Sequence, residues 1–135
     1  MEEQNPDPYS KEDLLKYRIK RARESLEEAH LLADAQHYNA SINRLYYGCY
    51  YIVTSLLLKH NIYSSTHSGV RNKFGLHFVK THFVSKENAT TFSFLFDQRH
   101  KSDYDDFVVF TKSEVSDLNN RANLFIKQIE QLINS

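Results

Sequence analysis

Cysteine, proline and glycine are scarce in this chain of 135 residues. Its one cysteine, Cys49, excludes an internal disulfide and a metal site built from cysteines, and it suits a reducing compartment. Both prolines lie near the amino terminus, only three glycines occur, and no stretch alternates between apolar and polar residues as a half-buried strand does. The composition therefore favours long helices.

The chain also lacks net charge, because 17 basic residues balance 17 acidic ones. No overall field draws it to nucleic acid or to an anionic membrane, so any nucleic-acid site must be local. The first eight residues, MEEQNPDP, contain neither the basic region nor the apolar core of a secretion signal. We therefore expect a cytoplasmic protein in which residues 1–9 form a flexible tail.

Several motifs that identify enzymes are missing as well. There is no serine nucleophile elbow, phosphate-binding loop or dinucleotide fingerprint. Glu27 and His30 have the Glu-x-x-His spacing of di-metal helical bundles, but such a site needs the motif twice, together with two further glutamates. No second copy occurs. We expect neither a metal nor another cofactor.

The most apolar stretch of the chain runs from Asn39 to Leu58. Apolar residues recur in steps of three and four from Ile42 to Leu56, and a second stripe from Tyr46 to Leu57 lies beside the first. A helix with so little polar circumference is normally the central one of a bundle. Arg44 is its one full charge, and that side chain must reach solvent, a carboxylate or a ligand.

An apolar stripe from Leu15 to Ala33 predicts a helix before the central one. Ser10, with Asp13 three residues later, is placed to cap its start. Charged residues spaced to pair on its outer face occur at Lys20–Glu24 and Arg23–Glu27. The stripe ends only a few residues before the central helix, so the two helices are predicted to be antiparallel neighbours.

Three more helices are predicted in the second half of the chain. A polar loop over residues 61–69 precedes a short helix, which is marked by apolar residues from Val70 to Phe78. Ser85 can cap a fourth helix, and Thr111 with Glu114 can cap the last one.

Residues 105–110 carry no helical stripe, and we interpret them as a linker with the apolar plug Val108-Val109-Phe110. A chain of this length can bury roughly two-thirds of its unfolded surface in one core. The sequence therefore predicts an all-α fold, an antiparallel up-and-down bundle of four to five helices, with residues 10–135 as its single domain.

The candidate site residues lie where charge meets the apolar faces. Arg99 continues the apolar face of the fourth helix, His100 follows it, and Asp103 and Tyr104 come one turn later. Arg99 either pairs with Asp103 along the helix or is presented to an anion in a cleft. His67 either packs in its loop or supports an anion at the start of the third helix. Donors of this kind suit a nucleotide or RNA.

Three groups of residues together form a family pattern: His37-Tyr38 with Ala40, Arg44 and Tyr46-Tyr47, Thr66 to Val70 with Phe74 and Phe78 to Lys80, and Arg99 with Ser102-Asp103-Tyr104. In their order and spacing these residues resemble the HEPN family of small all-α domains, in the stand-alone bacterial branch often found near minimal nucleotidyltransferases. The resemblance implies a homodimer with the polar motif in a cleft at the dimer interface, and a nucleotidyltransferase as a partner.

Many members of the family that this chain resembles are metal-independent ribonucleases, often toxins, whose motif is an arginine followed four to six residues later by a histidine. Arg99 stands in the arginine's place here, but positions 103–106 are Asp-Tyr-Asp-Asp. An aspartate at its ordinary pKa is a weak base and a poor acid at pH 7, whereas histidine suits proton transfer there. We therefore expect a module that binds nucleotide, RNA or a nucleotidyltransferase and has little nuclease activity.

Two alternatives remain open. One is a toxin-like, metal-independent endoribonuclease that uses a replaced pair, either Arg99 with His100 or Arg71 with His77. The other is a non-catalytic scaffold or antitoxin-like subunit, in which Arg99 and Asp103 only pair with each other. For the binding module, the expected ligand-binding residues are Arg99, Asp103, Tyr104, Arg44 and His67.

Overall fold

The computed structural model describes the backbone of residues 10–104 and 109–135, and the side chains of residues 10–101 and 109–135. Within these ranges every regular element is a helix and there is no strand, which confirms the predicted all-α bundle. The elements are α1 (Lys11–Asp34), α2 (Tyr38–Lys59), α3 (His67–Phe74) with a π-helical extension (Gly75–Val79), α4 (Lys86–Tyr104) and α5 (Lys112–Ile133).

Three helices begin at the caps that the sequence predicts. The Ser10 hydroxyl accepts a hydrogen bond from the amide of Asp13 at 3.1 Å, and Thr111 accepts one from Glu114 at the same distance. The Ser85 hydroxyl accepts from the amide of the third residue of α4. Each bond satisfies an amide that has no partner in the first turn of a helix, which is why these residues set the helix starts.

Helix α2 lies at the centre of the bundle and packs against α1, α3, α4 and α5. Cys49 is fully buried there among apolar side chains, as expected of a small apolar core residue. The Ser41 hydroxyl donates to the Ala29 carbonyl of α1 at 2.7 Å, so this buried polar group is satisfied across the α1–α2 contact. No helix in the described ranges is both long and apolar enough to cross a membrane.

Aromatic rings join four of the helices in the core. Phe92 of α4 stacks on Phe125 of α5 with ring centroids 5.5 Å apart. Phe74 of α3 meets both rings edge-on, at 5.3 and 5.9 Å, and Tyr46 of α2 lies 6.3 Å from Phe92. These four rings are nearly or completely buried. They fix how α3 and α4 sit against α2, which is the geometry on which the candidate site depends.

The third helix overlaps the segment 61–69 that the sequence predicts as a loop, while its first residue is the His67 considered as the start of this helix. It begins at His67, so that Gly69, which we assigned to a loop, lies in its first turn, where Thr66 accepts a hydrogen bond from the Gly69 amide at 2.9 Å. Its last turn widens into the π-helical segment, closed by a bond from the Lys80 amide to the Gly75 carbonyl. Polar composition alone suggested a loop, because the cap that starts the helix lies inside the polar stretch.

Two smaller predictions need correction. Lys20 pairs with Glu24 at 3.8 Å as expected, but Arg23 contacts Glu130 of α5 rather than Glu27, because the neighbouring helix brings a carboxylate within reach. The apolar plug is also smaller than predicted. Phe110 is buried, whereas Val109 is 81% exposed, and Val108 lies outside the described residues.

Candidate functional site

Two adjacent tyrosines of α2 receive one polar side chain each from α3 and α4. Tyr46 is fully buried, and its hydroxyl shares a hydrogen bond of 2.7 Å with Nδ1 of His67. Tyr47 is half-buried, and its hydroxyl accepts from Nη2 of Arg99 at 3.2 Å. We call Arg44, Tyr46, Tyr47, His67 and Arg99 the Arg-His cluster.

Both arginines of the Arg-His cluster lie against the ring of Tyr47. The guanidinium carbon of Arg44 is 5.1 Å from the ring centroid, and that of Arg99 is 5.6 Å from it. Arg99 also lies 5.6 Å from the Tyr46 ring. Contacts of this kind orient a guanidinium on an aromatic face and leave some of its N–H groups directed elsewhere.

The positive charge of Arg44 is shared with α1. Its Nη1 lies 3.5 Å from a carboxylate oxygen of Glu28, and the other oxygen of Glu28 lies 3.5 Å from Arg21. One carboxylate therefore serves two guanidinium groups. The hydrogen bond from Arg44 to Asn43, at 2.9 Å, is to a neutral amide, so positive charge is only partly balanced at this end of the cluster.

His67 is held between aromatic rings. It stacks on Tyr50 with centroids 4.2 Å apart and planes 12° apart, and it meets Tyr47 edge-on at 6.1 Å. Burial lowers the pKa of His67 from its ordinary value, and the nearby charge of Arg99 lowers the pKa further. The neutral form of His67 therefore predominates at pH 7, and in this form one ring nitrogen donates a hydrogen bond while the other accepts one, according to the tautomer.

The structure brings together three of the predicted site residues, Arg44, His67 and Arg99. His100 is exposed on α4. The side chains of Asp103 and Tyr104 lie outside the described residues.

Arg71 and His77, the pair predicted as an alternative, lie in surroundings that differ from each other. Arg71 binds Asp97 at 3.2 Å and lies 4.6 Å from the Phe96 ring, while His77 is exposed in the π-helical segment. Within the described ranges, no three histidine, cysteine, aspartate or glutamate side chains are grouped to hold a metal ion. Glu27 and His30 lie on α1, where His30 is within 3.4 Å of Asp34.

Sequence reasoning did not assign Tyr46, Tyr47 and Tyr50 to the site. A signal for them was present, because a tyrosine in a central helix carries a hydroxyl that needs a partner. The partners could not be predicted, since His67 and Arg99 are separated from these tyrosines by 21 and 52 residues respectively.

The sequence model of the HEPN domain matches residues 15–132 of this chain. The chain belongs to the HEPN family.

Several curated proteins are similar to this HEPN chain, some over most of its length and others over about half of it. A "UPF0332 protein" of Thermotoga maritima is 38% identical over 123 residues, which are 91% of this chain and 93% of the relative. "Putative toxin MJ0142" of Methanocaldococcus jannaschii is 29% identical over 85% of this chain and 78% of its own length. "UPF0332 protein PH1297" of Pyrococcus horikoshii is 40% identical over 53% of this chain and 50% of its own.

The Arg-His cluster brings Arg99 together with a histidine from a different helix. Arg99 lies in α4, and no histidine follows it four to six residues later in the chain. His67 of α3 contacts the same two tyrosine rings as Arg99 does. An arginine and a neutral imidazole are thus close in space although the linear motif is incomplete.

Proposed function

We propose that this HEPN protein binds RNA and that the Arg-His cluster holds an RNA phosphate. The observation that supports the proposal is the convergence of Arg44, His67 and Arg99, from three helices, on the ring of Tyr47. Guanidinium groups bind phosphate oxygens through charged hydrogen bonds. Half-buried tyrosine rings offer a surface on which unpaired bases stack.

The charge distribution favours a local contact over a general affinity for nucleic acid. The chain has no net charge, so long-range attraction to RNA is weak. Within the described residues, Glu28 is the carboxylate that contacts the cluster, and it is shared with Arg21. A bound phosphate would complete the neutralisation of Arg44, which shares the Glu28 carboxylate with Arg21.

RNA affinity in two arginine variants tests this proposal. Binding of a short, labelled single-stranded RNA is followed by fluorescence anisotropy for wild type, Arg44→Gln and Arg99→Gln. We expect each variant to bind about 10- to 150-fold more weakly, since a charged hydrogen bond contributes about 1.5–3 kcal/mol. The slope of log affinity against log salt should also fall by about 1.

The matched control is Arg121→Gln. Arg121 lies on α5 and pairs with Asp117 one turn away, at 3.6 Å, so its loss should leave RNA affinity unchanged. Wild-type affinity in the Arg99→Gln variant would overturn the proposal. Equal weakening in all three variants would show that only overall charge matters, and it would also count against the cluster.

A second candidate function is metal-independent cleavage of RNA, favoured by the proximity of His67 to Arg99. A neutral His67 could take the proton of a ribose 2′-hydroxyl as that oxygen attacks the adjacent phosphorus, and the 5′-oxygen leaves with a proton from water, which gives a 2′,3′-cyclic phosphate and a 5′-hydroxyl. Arg99 would stabilise the charge on the phosphorane. The name of the M. jannaschii relative agrees with this candidate, because the HEPN ribonucleases that this chain resembles are often toxins.

Cleavage assays in EDTA separate the two candidates. A ribonuclease using this pair loses cleavage in His67→Asn and in Arg99→Gln, and keeps it in Arg121→Gln. A binding module shows RNA binding without cleavage in any of these proteins. Cleavage that persists in the His67→Asn variant would exclude His67 as the proton acceptor.

On the basis of the family resemblance we also propose that the protein forms a homodimer and that it binds a nucleotidyltransferase. Light scattering should give a mass twice the 15.9 kDa of the chain, and co-expression with a neighbouring nucleotidyltransferase should allow the two proteins to be purified together. A mass of one chain at micromolar concentration would contradict the dimer.

A further inference from the structure

The hydroxyl of Tyr46 can form its hydrogen bond with His67 in two ways. It either donates its own hydrogen to Nδ1 or accepts one from an Nδ1–H group, and the two atoms joined by this bond lie 2.7 Å apart. A neutral imidazole carries one hydrogen, so the first arrangement places that hydrogen on Nε2 and the second places it on Nδ1. The direction of this bond therefore decides which ring nitrogen His67 presents to a ligand.

The burial of Tyr46 selects the first arrangement. Its side chain is 0% exposed, and among the residues that the structure describes, His67 is the hydrogen-bond partner of its hydroxyl. If Tyr46 accepted from Nδ1, its own hydrogen would be buried without an acceptor, which is unfavourable. Burial also raises the pKa of Tyr46, so the hydroxyl keeps its hydrogen at neutral pH.

The other ring nitrogen of His67, Nε2, has different surroundings. It makes no hydrogen bond within the described part of the chain, and it is not among the polar atoms there that are shut off from solvent. A hydrogen on Nε2 is therefore available to water or to a ligand. His67 and Arg99 lie against the same two rings, those of Tyr46 and Tyr47. The Nε2–H group and the guanidinium are thus two donors on one aromatic surface.

We propose that Tyr46 is a positioning residue that fixes His67 as its Nε2–H tautomer, and that His67 donates a hydrogen bond to an anion held by Arg99. The identity of this anion, an RNA phosphate, rests on the proposed function. In this tautomer the accepting nitrogen is Nδ1, which the buried Tyr46 hydroxyl occupies, so His67 cannot take the proton of a ribose 2′-hydroxyl. The arrangement favours RNA binding over RNA cleavage.

Nitrogen-15 NMR of the imidazole rings reads the tautomer directly. Long-range nitrogen–proton correlations are recorded at a pH above the ordinary histidine pKa, and the signals of His67, one of seven histidines, are assigned with His67→Asn. In wild type we expect Nδ1 at the chemical shift of an unprotonated nitrogen and Nε2 at that of an N–H group. An Nδ1–H group in wild type would overturn the assignment, whether or not any variant folds.

Two tyrosine variants show whether Tyr46 fixes this tautomer. Tyr46→Phe keeps the ring and removes the hydroxyl, so both nitrogen shifts of His67 should move toward those of a mixture of tautomers. The matched control is Tyr47→Phe, which removes the hydroxyl that accepts from Arg99 and should leave the tautomer unchanged. Equal shifts in wild type and in Tyr46→Phe would show that Tyr46 has no positioning role.

Two substitutions of His67 test its role as a donor. The amide nitrogen of a glutamine can take the place of Nε2, whereas the shorter side chain of an asparagine reaches only to the place of Nδ1. We expect His67→Gln to keep RNA affinity within about threefold of wild type. His67→Asn should bind about 10- to 150-fold more weakly, because a hydrogen bond to a charged group is lost. Equal weakening in both variants would contradict the donor role.

These measurements separate the tautomer from the proposed function. The NMR spectra require no RNA, so a protein that binds no RNA overturns the proposed function and the role of His67 toward phosphate, while the spectra still decide what Tyr46 does. Cleavage of RNA by wild type that is lost in His67→Gln, with binding retained, would show that His67 accepts a proton. That result would overturn the assigned tautomer and confirm that the cluster binds RNA.

Discussion

His67 is kept in its neutral form by contacts with three tyrosines and by the charge of one arginine. Tyr46 binds its Nδ1, Tyr50 covers one face of the ring, and Tyr47 meets the ring edge-on. These contacts exclude water, and exclusion of water disfavours the charged imidazolium. Arg99 opposes the same charge electrostatically. The site therefore combines a fixed positive charge with a base that is free of its proton at neutral pH.

The pKa of His67 can be measured directly by NMR titration of its imidazole protons, assigned with His67→Asn. We expect a pKa below the ordinary value of about 6.5. Arg99→Gln should raise the pKa without restoring that value, because burial is the larger cause, and Arg121→Gln should not change it. A wild-type pKa at or above the ordinary value would contradict the described packing.

The shift also has a consequence for stability. Because the pKa is lower in the folded state, the unfolded chain binds more protons at acidic pH, so protonation of His67 favours unfolding. Its contribution to stability is present above the unfolded pKa of about 6.5 and is lost as the pH falls through that value toward the folded pKa. The free energy of unfolding should therefore depend less on pH in His67→Asn than in wild type.

At the scale of helices, α2 lies close to the backbone of α1 at Gly48. A Cβ atom there would lie 3.2 Å from the Ala22 carbonyl oxygen and 3.4 Å from a methyl carbon of Leu26. At Gly75, by contrast, a Cβ atom would meet nothing within 4 Å, and the backbone is in the right-handed helical region. Gly48 is therefore needed for the close packing of α2 on α1, whereas the packing around Gly75 does not require a glycine.

Alanine substitution of the two glycines should have opposite effects. Gly48→Ala forces apart a backbone contact, at a cost of about 1–3 kcal/mol, which the better helix propensity of alanine offsets by about 1 kcal/mol. Gly75→Ala should stabilise by about 0.4–1 kcal/mol, since it only restricts the unfolded chain. Urea unfolding of both variants measures the difference. A Gly48→Ala variant more stable than Gly75→Ala would be inconsistent with this packing.

The starts of α1 and α5 were predictable because their signals are local. Ser10 and Thr111 bond to amides three residues away, so a short stretch of sequence contains both the cap and its partner. The π-helical segment after Phe74 has no comparable local signal. Side-chain partners on other helices have no local signal either. The partner of Arg23 could not be predicted, because Glu130 is 107 residues away in the chain.

At the scale of the whole molecule, the aromatic core holds the candidate site in place. Phe125 of α5 packs against Phe74 of α3 and Phe92 of α4, and Phe92 in turn lies against Tyr46 of the Arg-His cluster. The residue types of the site were predictable as polar residues that interrupt apolar faces. Their convergence was not, because it depends on how three helices pack around this core.

Replacement of Phe125 should therefore weaken the entire fold. Phe125→Ala is expected to lower the free energy of unfolding by about 3–5 kcal/mol in one cooperative transition, with an unchanged dependence on urea. Leu124→Ala, at a neighbouring position that is 62% exposed, should change it by less than about 0.5 kcal/mol. Similar effects of the two substitutions would show that α5 packs differently.

A double-mutant cycle on RNA affinity tests the central claim most directly. Wild type, His67→Asn, Arg99→Gln and the double variant are compared with the same short RNA. Because both residues contact Tyr46 and Tyr47, we predict that each substitution weakens binding and that the combined loss differs from the sum by at least about 0.5 kcal/mol. A double variant that binds RNA as tightly as wild type would contradict the account.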